Sequence, residues 1–108
     1  MSILLVVSTF PDMPTARQIG TILVSQQLAA CVNLLPSAES IYVWEDEVKQ
    51  EPEVIGIIKT TKERYPELQE KLNELHPYDV PEIVAISPED GLPEYLNWVE
   101  SQTSLKGP

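Results

Sequence analysis

Two residues carry most of this chain's capacity for coordination chemistry: Cys31 and His76, its single cysteine and single histidine. A thiolate and an imidazole suit copper and zinc, whereas carboxylates alone suit harder ions. A second group suits ligand binding. Lys59 closes an apolar run, so its stem is expected to be buried and its ammonium paired with Glu82. A lysine beside an acid in a cleft binds an anionic ligand or takes part in proton transfer. Tyr42 and Trp44 offer either a stacking platform or a packing anchor at an interface, and Tyr78 completes the set. Each has a plainer reading. A lone cysteine is more often a small buried hydrophobe than a ligand. A histidine at a helix end before a proline more often bonds the free helix carbonyls. The Lys59–Glu82 pair is more often a structural ion pair, and Trp44 is favoured as an anchor.

Enzyme templates fit poorly. The chain has no Gly-rich phosphate loop, no G-x-S-x-G elbow, no H-E-x-x-H and no C-x-x-C. The acid pair Glu45 and Glu47 falls on what should be a solvated tip. No catalytic residue is expected.

The element that must position these side chains is the stretch from Ala29 to Thr61, which reads as one very long β-hairpin. Its outgoing arm runs from Cys31 to Trp44, its tip is Glu45-Asp46-Glu47, and its returning arm runs from Val48 to Lys59. Each arm is roughly twice the usual strand length. Pro36-Ser37-Ala38 predicts a bulge or bend in the outgoing arm, and Asp46 tolerates positive φ at the tip. A ribbon this long overhangs a small domain and needs cover from other copies of the chain.

Around it, Ile3 to Val7 is continuously apolar and reads as a strand buried on both faces. Asp12 and Pro14 start a helix over Met13 to Leu28, with Ala16, Ile19, Ile22 and Leu23 on its buried stripe. A second helix begins near Glu63, buries Tyr65, Leu68, Leu72 and Leu75, and stops before Pro77. Ile83 to Ile86 reads as a fourth buried strand. Pro93 opens a third helix carrying Tyr95, Leu96 and Val99, and residues 102–108 read as a loose tail. The order β-α-β-β-α-β plus a terminal helix is that of an α+β, ferredoxin-like sandwich. Its helices cover one face of the sheet, and the apolar strands leave the other face hydrophobic, which marks an interface. On this topology Cys31 and His76 fall at opposite ends of a subunit, so they could share a metal only across a subunit boundary.

Composition bounds the rest. The 108 residues make one domain spanning 1–108, able to bury a core without staples. The net charge of −10, from 17 acids against 7 bases, offers no basic footprint for nucleic acid. The excess acid reads first as solubility and second as a diffuse attraction for cations. The start M-S-I-L-L-V-V-S-T-F lacks a basic n-region and a spanning apolar run, so no membrane association is expected. With a single cysteine, a cytoplasmic location is expected.

Several segments together resemble the CutA divalent-cation tolerance proteins: L-A-A-C-V-N (Leu28–Asn33), I-Y-V-W-E (Ile41–Glu45), Glu53-Val54, I-K-T-T (Ile58–Thr61), H-P-Y-D-V-P-E-I (His76–Ile83) and Y-L-N-W-V (Tyr95–Val99). The resemblance spans essentially the whole chain. It implies a ferredoxin-like subunit in a tight homotrimer of PII-like assembly, with no established catalytic activity. It also implies a role in tolerance of copper and other divalent cations. Cys31 and His76 match family positions. Ser8 stands where some copper-linked members carry cysteine, and Asp46 where many carry glycine. Two readings follow. In the first, the chain is a non-enzymatic trimer of copper or divalent-cation response, with Cys31 and His76 as ligands in separate or intersubunit sites and no cofactor needed for folding. In the second it is a PII-like signalling or scaffold trimer. A small ligand or a protein partner then meets the intersubunit cleft near Tyr42, Trp44, Lys59, Tyr78 and Glu82.

Overall fold

The computed structural model describes residues 2–104. In chain order the elements are β1 (Ile3–Phe10), α1 (Met13–Ser25), β2 (Cys31–Trp44), β3 (Glu47–Thr61), α2 (Tyr65–Leu75), β4 (Val84–Ile86) and α3 (Pro93–Thr103). The four strands form one sheet in the order β2-β3-β1-β4, with every neighbouring pair antiparallel. This is the ferredoxin-like order expected of the β-α-β-β-α-β pattern.

The apolar runs of β1 and β3 alternate in burial rather than being uniformly enclosed. Leu4, Val6, Ser8 and Phe10 are buried, and so are Val54 and Ile58; Leu5, Val7, Ile55 and Ile57 between them are half-buried. Because side chains alternate across a strand, the first set meets α1 and α2. The main core lies there, with Val6, Phe10 and Ile58 packed among Ile19, Leu23, Leu68 and Leu72. The second set lies on the opposite face. There α3 sets Val99, with Leu96 beside it, against Ile3 and Ala30.

The rest of that second face is open. The register puts Leu5 opposite Ile86 and Lys59, Val7 opposite Val84 and Ile57, and Leu35 opposite Ile55. Apart from Lys59 and the Asn33 it bonds, these side chains form an apolar surface across four strands. Leu35, Val84 and Ile86 are 44%, 51% and 49% exposed. The expectation that the fourth strand is buried is therefore corrected. β4 is a three-residue edge strand paired with β1, and among the described residues no other element covers it.

Two boundaries and one buried stripe also differ from expectation. Helix α1 ends at Ser25, not Leu28, because Gln27 turns left-handed at φ 59 and the amides of Leu28 and Ala29 then bond to Leu23 O at 2.9 and 3.2 Å. Its buried stripe uses Gly20 where Ile22 was expected; Ile22 is only half-buried. A Cβ on Gly20 would stand 3.4 Å from Val32, so the glycine lets the helix lie close to β2. At the C-terminus, Gln102 and Thr103 belong to α3 rather than to a tail. The Thr103 hydroxyl is buried and donates to Val99 O at 3.0 Å. Residues 105–108 of the expected tail lie outside the described residues.

The hairpin is as long as expected. Its ladder shifts register between Leu35 and Ala38, where Ser37 adopts φ 68, and then runs unbroken from Ala38↔Glu53 to Trp44↔Glu47. The outer half projects, so the chain measures 51 × 27 × 21 Å. Ile41, Val43 and Val48 on it are 63%, 67% and 68% exposed. The tip is a two-residue turn, tighter than expected, with φ 50 at Glu45 and 65 at Asp46. Neither residue is the asparagine or glycine that such a turn favours. Replacing Glu45-Asp46 by Asn-Gly should therefore stabilise the protein by about 1 kcal/mol, read as a higher urea midpoint at unchanged slope.

Candidate functional site

The polar groups converge where the hairpin leaves the body of the sheet. Helix α2 stops at His76 because Pro77 disfavours helical backbone in the residue before it, and His76 is extended at φ −71, ψ 136. The ring folds back over the end of β1. It stacks on Phe10 with centroids 5.1 Å apart and lies 2.8 Å through Nε2 from Thr9 O. The backbone N–H of Tyr78 donates to Nδ1 at 3.2 Å. A nitrogen that accepts an amide N–H carries no proton, so the proton is on Nε2 and is donated to the Thr9 carbonyl. Both nitrogens of this neutral ring are thus engaged. The expectation that His76 bonds the carbonyls of its own helix is corrected: its partners are on β1 and in the following loop.

Burial holds His76 below the ordinary imidazole value of 6.5, although the bond to Thr9 and the charge of Glu53 act the other way. The folded protein thus resists a proton that the unfolded chain accepts. This contribution to stability is present above pH 6.5 and is lost as the pH falls through the lowered folded value. Because His76 is the only histidine, denaturant unfolding between pH 7.5 and 5.5 should show stability falling toward acid. The slope should flatten in His76→Phe, which keeps a ring against Phe10.

Beyond His76, the Tyr78 hydroxyl donates to Glu53 Oε2 at 2.6 Å, and the Ser40 hydroxyl donates to Glu53 Oε1. Burial and the adjoining carboxylate push the Tyr78 hydroxyl far above its ordinary range, which keeps it a proton donor. Glu53 joins the hairpin to the loop after α2, a role that motif reading of the sequence missed. Its signal was an acid on the strand face that continues into Ile55 and Ile57.

This junction walls a concavity of about 860 Å³ between the hairpin and residues 78–82. Tyr42, Trp44, Tyr78 and Glu82, four of the five expected cleft residues, line it together with Lys49, Glu51, Glu53 and Asp79. Lys59, the fifth, does not, and its expected pairing with Glu82 is corrected. Lys59 stands six residues further along β3 than Glu53, ~20 Å at the usual strand rise. There its ammonium donates to Asn33 Oδ1 and approaches Cys31 Sγ at 3.9 Å. The cation that does line the concavity, Lys49, is paired with Glu47 at 3.2 Å.

Cys31 is half-buried and faces Lys59, which faces Leu5. His76 meets Phe10 at the other end of β1, ~17 Å away by strand rise. Cys31 and His76 therefore do not fit a shared metal within one subunit. An ion at His76 would displace the Thr9 carbonyl or the Tyr78 amide, and one at Cys31 would meet the Lys59 ammonium. Among the described residues no three histidine, cysteine or acidic side chains converge as metal ligands.

Comparison with known proteins agrees with this architecture. Residues 4–102 match the family model described as CutA1 divalent ion tolerance protein. The divalent-cation tolerance protein CutA of Thermus thermophilus is 45% identical over 98 residues, covering 91% of this chain and 95% of its own. The mouse protein CutA is 41% identical over 95 residues, and there the chain spans 54% of the relative's length. The crystal structure of CutA from Xylella fastidiosa superposes with a TM-score of 0.94 at 38% identity, covering 96% of this chain and 100% of that one. The chain belongs to the CutA1 divalent ion tolerance family.

Proposed function

We propose that the chain acts as a non-enzymatic homotrimer in tolerance of divalent cations, with copper the first cation to test. The match to the family model over residues 4–102 carries this reading. The open apolar face and the overhanging hairpin support the assembly, since surfaces of that kind are covered by a partner. The non-enzymatic part is supported by His76: its nitrogens are spent on structural bonds, and it lies far along the sheet from the one thiol. Cytoplasmic residence belongs to the same proposal. The single cysteine supports it, and among the described residues no helix is long and apolar enough to cross a membrane.

Cys31 and His76 enter as proposed donors to separate sites, each completed across a subunit boundary, with His76 giving up its bond to the Thr9 carbonyl or to the Tyr78 amide to bind. Equilibrium dialysis against copper tests them on untagged protein. Bound copper should fall in Cys31→Ser and in His76→Ala; unchanged stoichiometry and affinity in both would remove these ligands from the proposal. Growth in copper of a host lacking the gene tests the wider role, with wild type expected to restore tolerance.

A second reading is favoured by one observation, the concavity that gathers Tyr42, Trp44, Tyr78 and Glu82 around the bonded Glu53. In it the trimer is a PII-like sensor or scaffold that binds a small ligand there and passes the signal to a protein partner. A ligand whose affinity survives chelation of metals and falls in Tyr78→Phe would support it. Indifference to that substitution would count against it.

A further inference from the structure

The charge and shape of this concavity narrow what it can hold, given the second reading above, on which the inference rests. The anionic ligand that a cleft lysine would favour has lost its main support, because Lys59 is elsewhere and Lys49 is already paired with Glu47. Against that one lysine stand four carboxylates, Glu51, Glu53, Asp79 and Glu82. Glu53 is engaged by two hydroxyls, and no ion pair among the described residues involves any of the four.

The acids do not suit an inorganic cation. Calcium and magnesium need several oxygens converging at about 2.0–2.6 Å, whereas no three acidic, cysteine or histidine side chains among the described residues converge in that way. Separated carboxylates suit separated positive charges. The walls between them are aromatic: Tyr42 and Trp44 share one face of β2 by alternation, and Tyr78 stands across from them on the loop. Aromatic faces attract ammonium groups, and the methylene segments of an aliphatic amine pack on the same rings. A volume of about 860 Å³, open on one side, admits an extended chain.

We propose that the concavity is a binding site for a small aliphatic polyamine, whose ammonium groups meet Glu51 and Glu82 while its methylenes lie along Tyr42 and Trp44.

Tryptophan fluorescence and isothermal titration on the untagged trimer test it, with spermidine, magnesium and citrate as probes. Spermidine is expected to bind once per subunit and more tightly than magnesium. Its affinity should fall about tenfold in the double variant Glu51→Gln, Glu82→Gln and about threefold in Tyr42→Leu. Those three residues are exposed in the single chain, so the variants should fold; circular dichroism checks this and light scattering checks that they still assemble. Spermidine binding equal to that of magnesium, or unchanged in all variants, would overturn the proposal. If citrate binds, spermidine does not and Tyr78→Phe abolishes the citrate signal, the ligand class is wrong while the second reading stands. If no probe binds, both fall.

Discussion

Phe10→Ala should lower the stability of the protein by about 3–5 kcal/mol, the usual cost of emptying a buried aromatic position. The side chain is 1% exposed and is held from two sides. Across the strand pair lies Gly56, where a Cβ would come within 2.8 Å of Phe10 Cε2, so glycine is the residue that leaves room for the ring. His76 stacks on it from the other side. Truncation removes the apolar contacts, leaves a cavity and takes away the support that orients the imidazole. The effect therefore reaches the site: once His76 shifts, the Tyr78 amide loses its acceptor and the loop bearing Tyr78, Asp79 and Glu82 loosens. Denaturant unfolding at one fixed protomer concentration measures the first effect, since assembly adds to apparent stability. Amide exchange at residues 78–82 measures the second. A loss below about 1.5 kcal/mol, inside the range of a volume-conserving swap, would mean that the ring is not the support described.

Ile57→Asp should abolish assembly while leaving the subunit folded. Ile57 lies at the centre of the open face, with Val7 opposite it on β1 and Asn33 on β2, and is only half-buried within its own subunit. A carboxylate there can remain hydrated in a monomer. In an assembly it would be desolvated without a partner, at a cost of several kcal/mol per copy, and the cost recurs on every subunit. Light scattering coupled to size exclusion should show a monomer with native far-ultraviolet dichroism. Gln69→Asp, on the exposed surface of α2, is the reference and should remain assembled. An Ile57→Asp protein that keeps its oligomeric mass would mean that the open face is not the assembly surface.

Much of this architecture was legible because local rules and tertiary structure agree. The β-branched runs of β1 and β3, the bulge at Pro36-Ser37 and the Leu68, Leu72 stripe of α2 each carry a period or a breaker that only one element satisfies. The end of α1 was not legible, because Gln27 turns left-handed without the glycine that normally marks such a stop. The exposure of β4 was not legible because an apolar run looks the same whether or not its own chain covers it. For the site, the aromatic residues and Glu82 line one concavity because the hairpin and the helix end bring them to one end of the sheet. Lys59 was misplaced. Position along a fifteen-residue strand decides which end a side chain reaches, and the partner it finds, Asn33, is set by strand register rather than by any motif. Glu53 was overlooked as a hub because both its partners, Ser40 and Tyr78, are distant in sequence.

Native mass spectrometry of untagged protein, purified without chelator and sprayed at low micromolar concentration, shows whether the chain assembles. A homotrimer at three times the 12.1 kDa chain mass is expected. A monomer at that concentration would contradict it, leaving the apolar face and the exposed hairpin without the partner on which the proposed function depends.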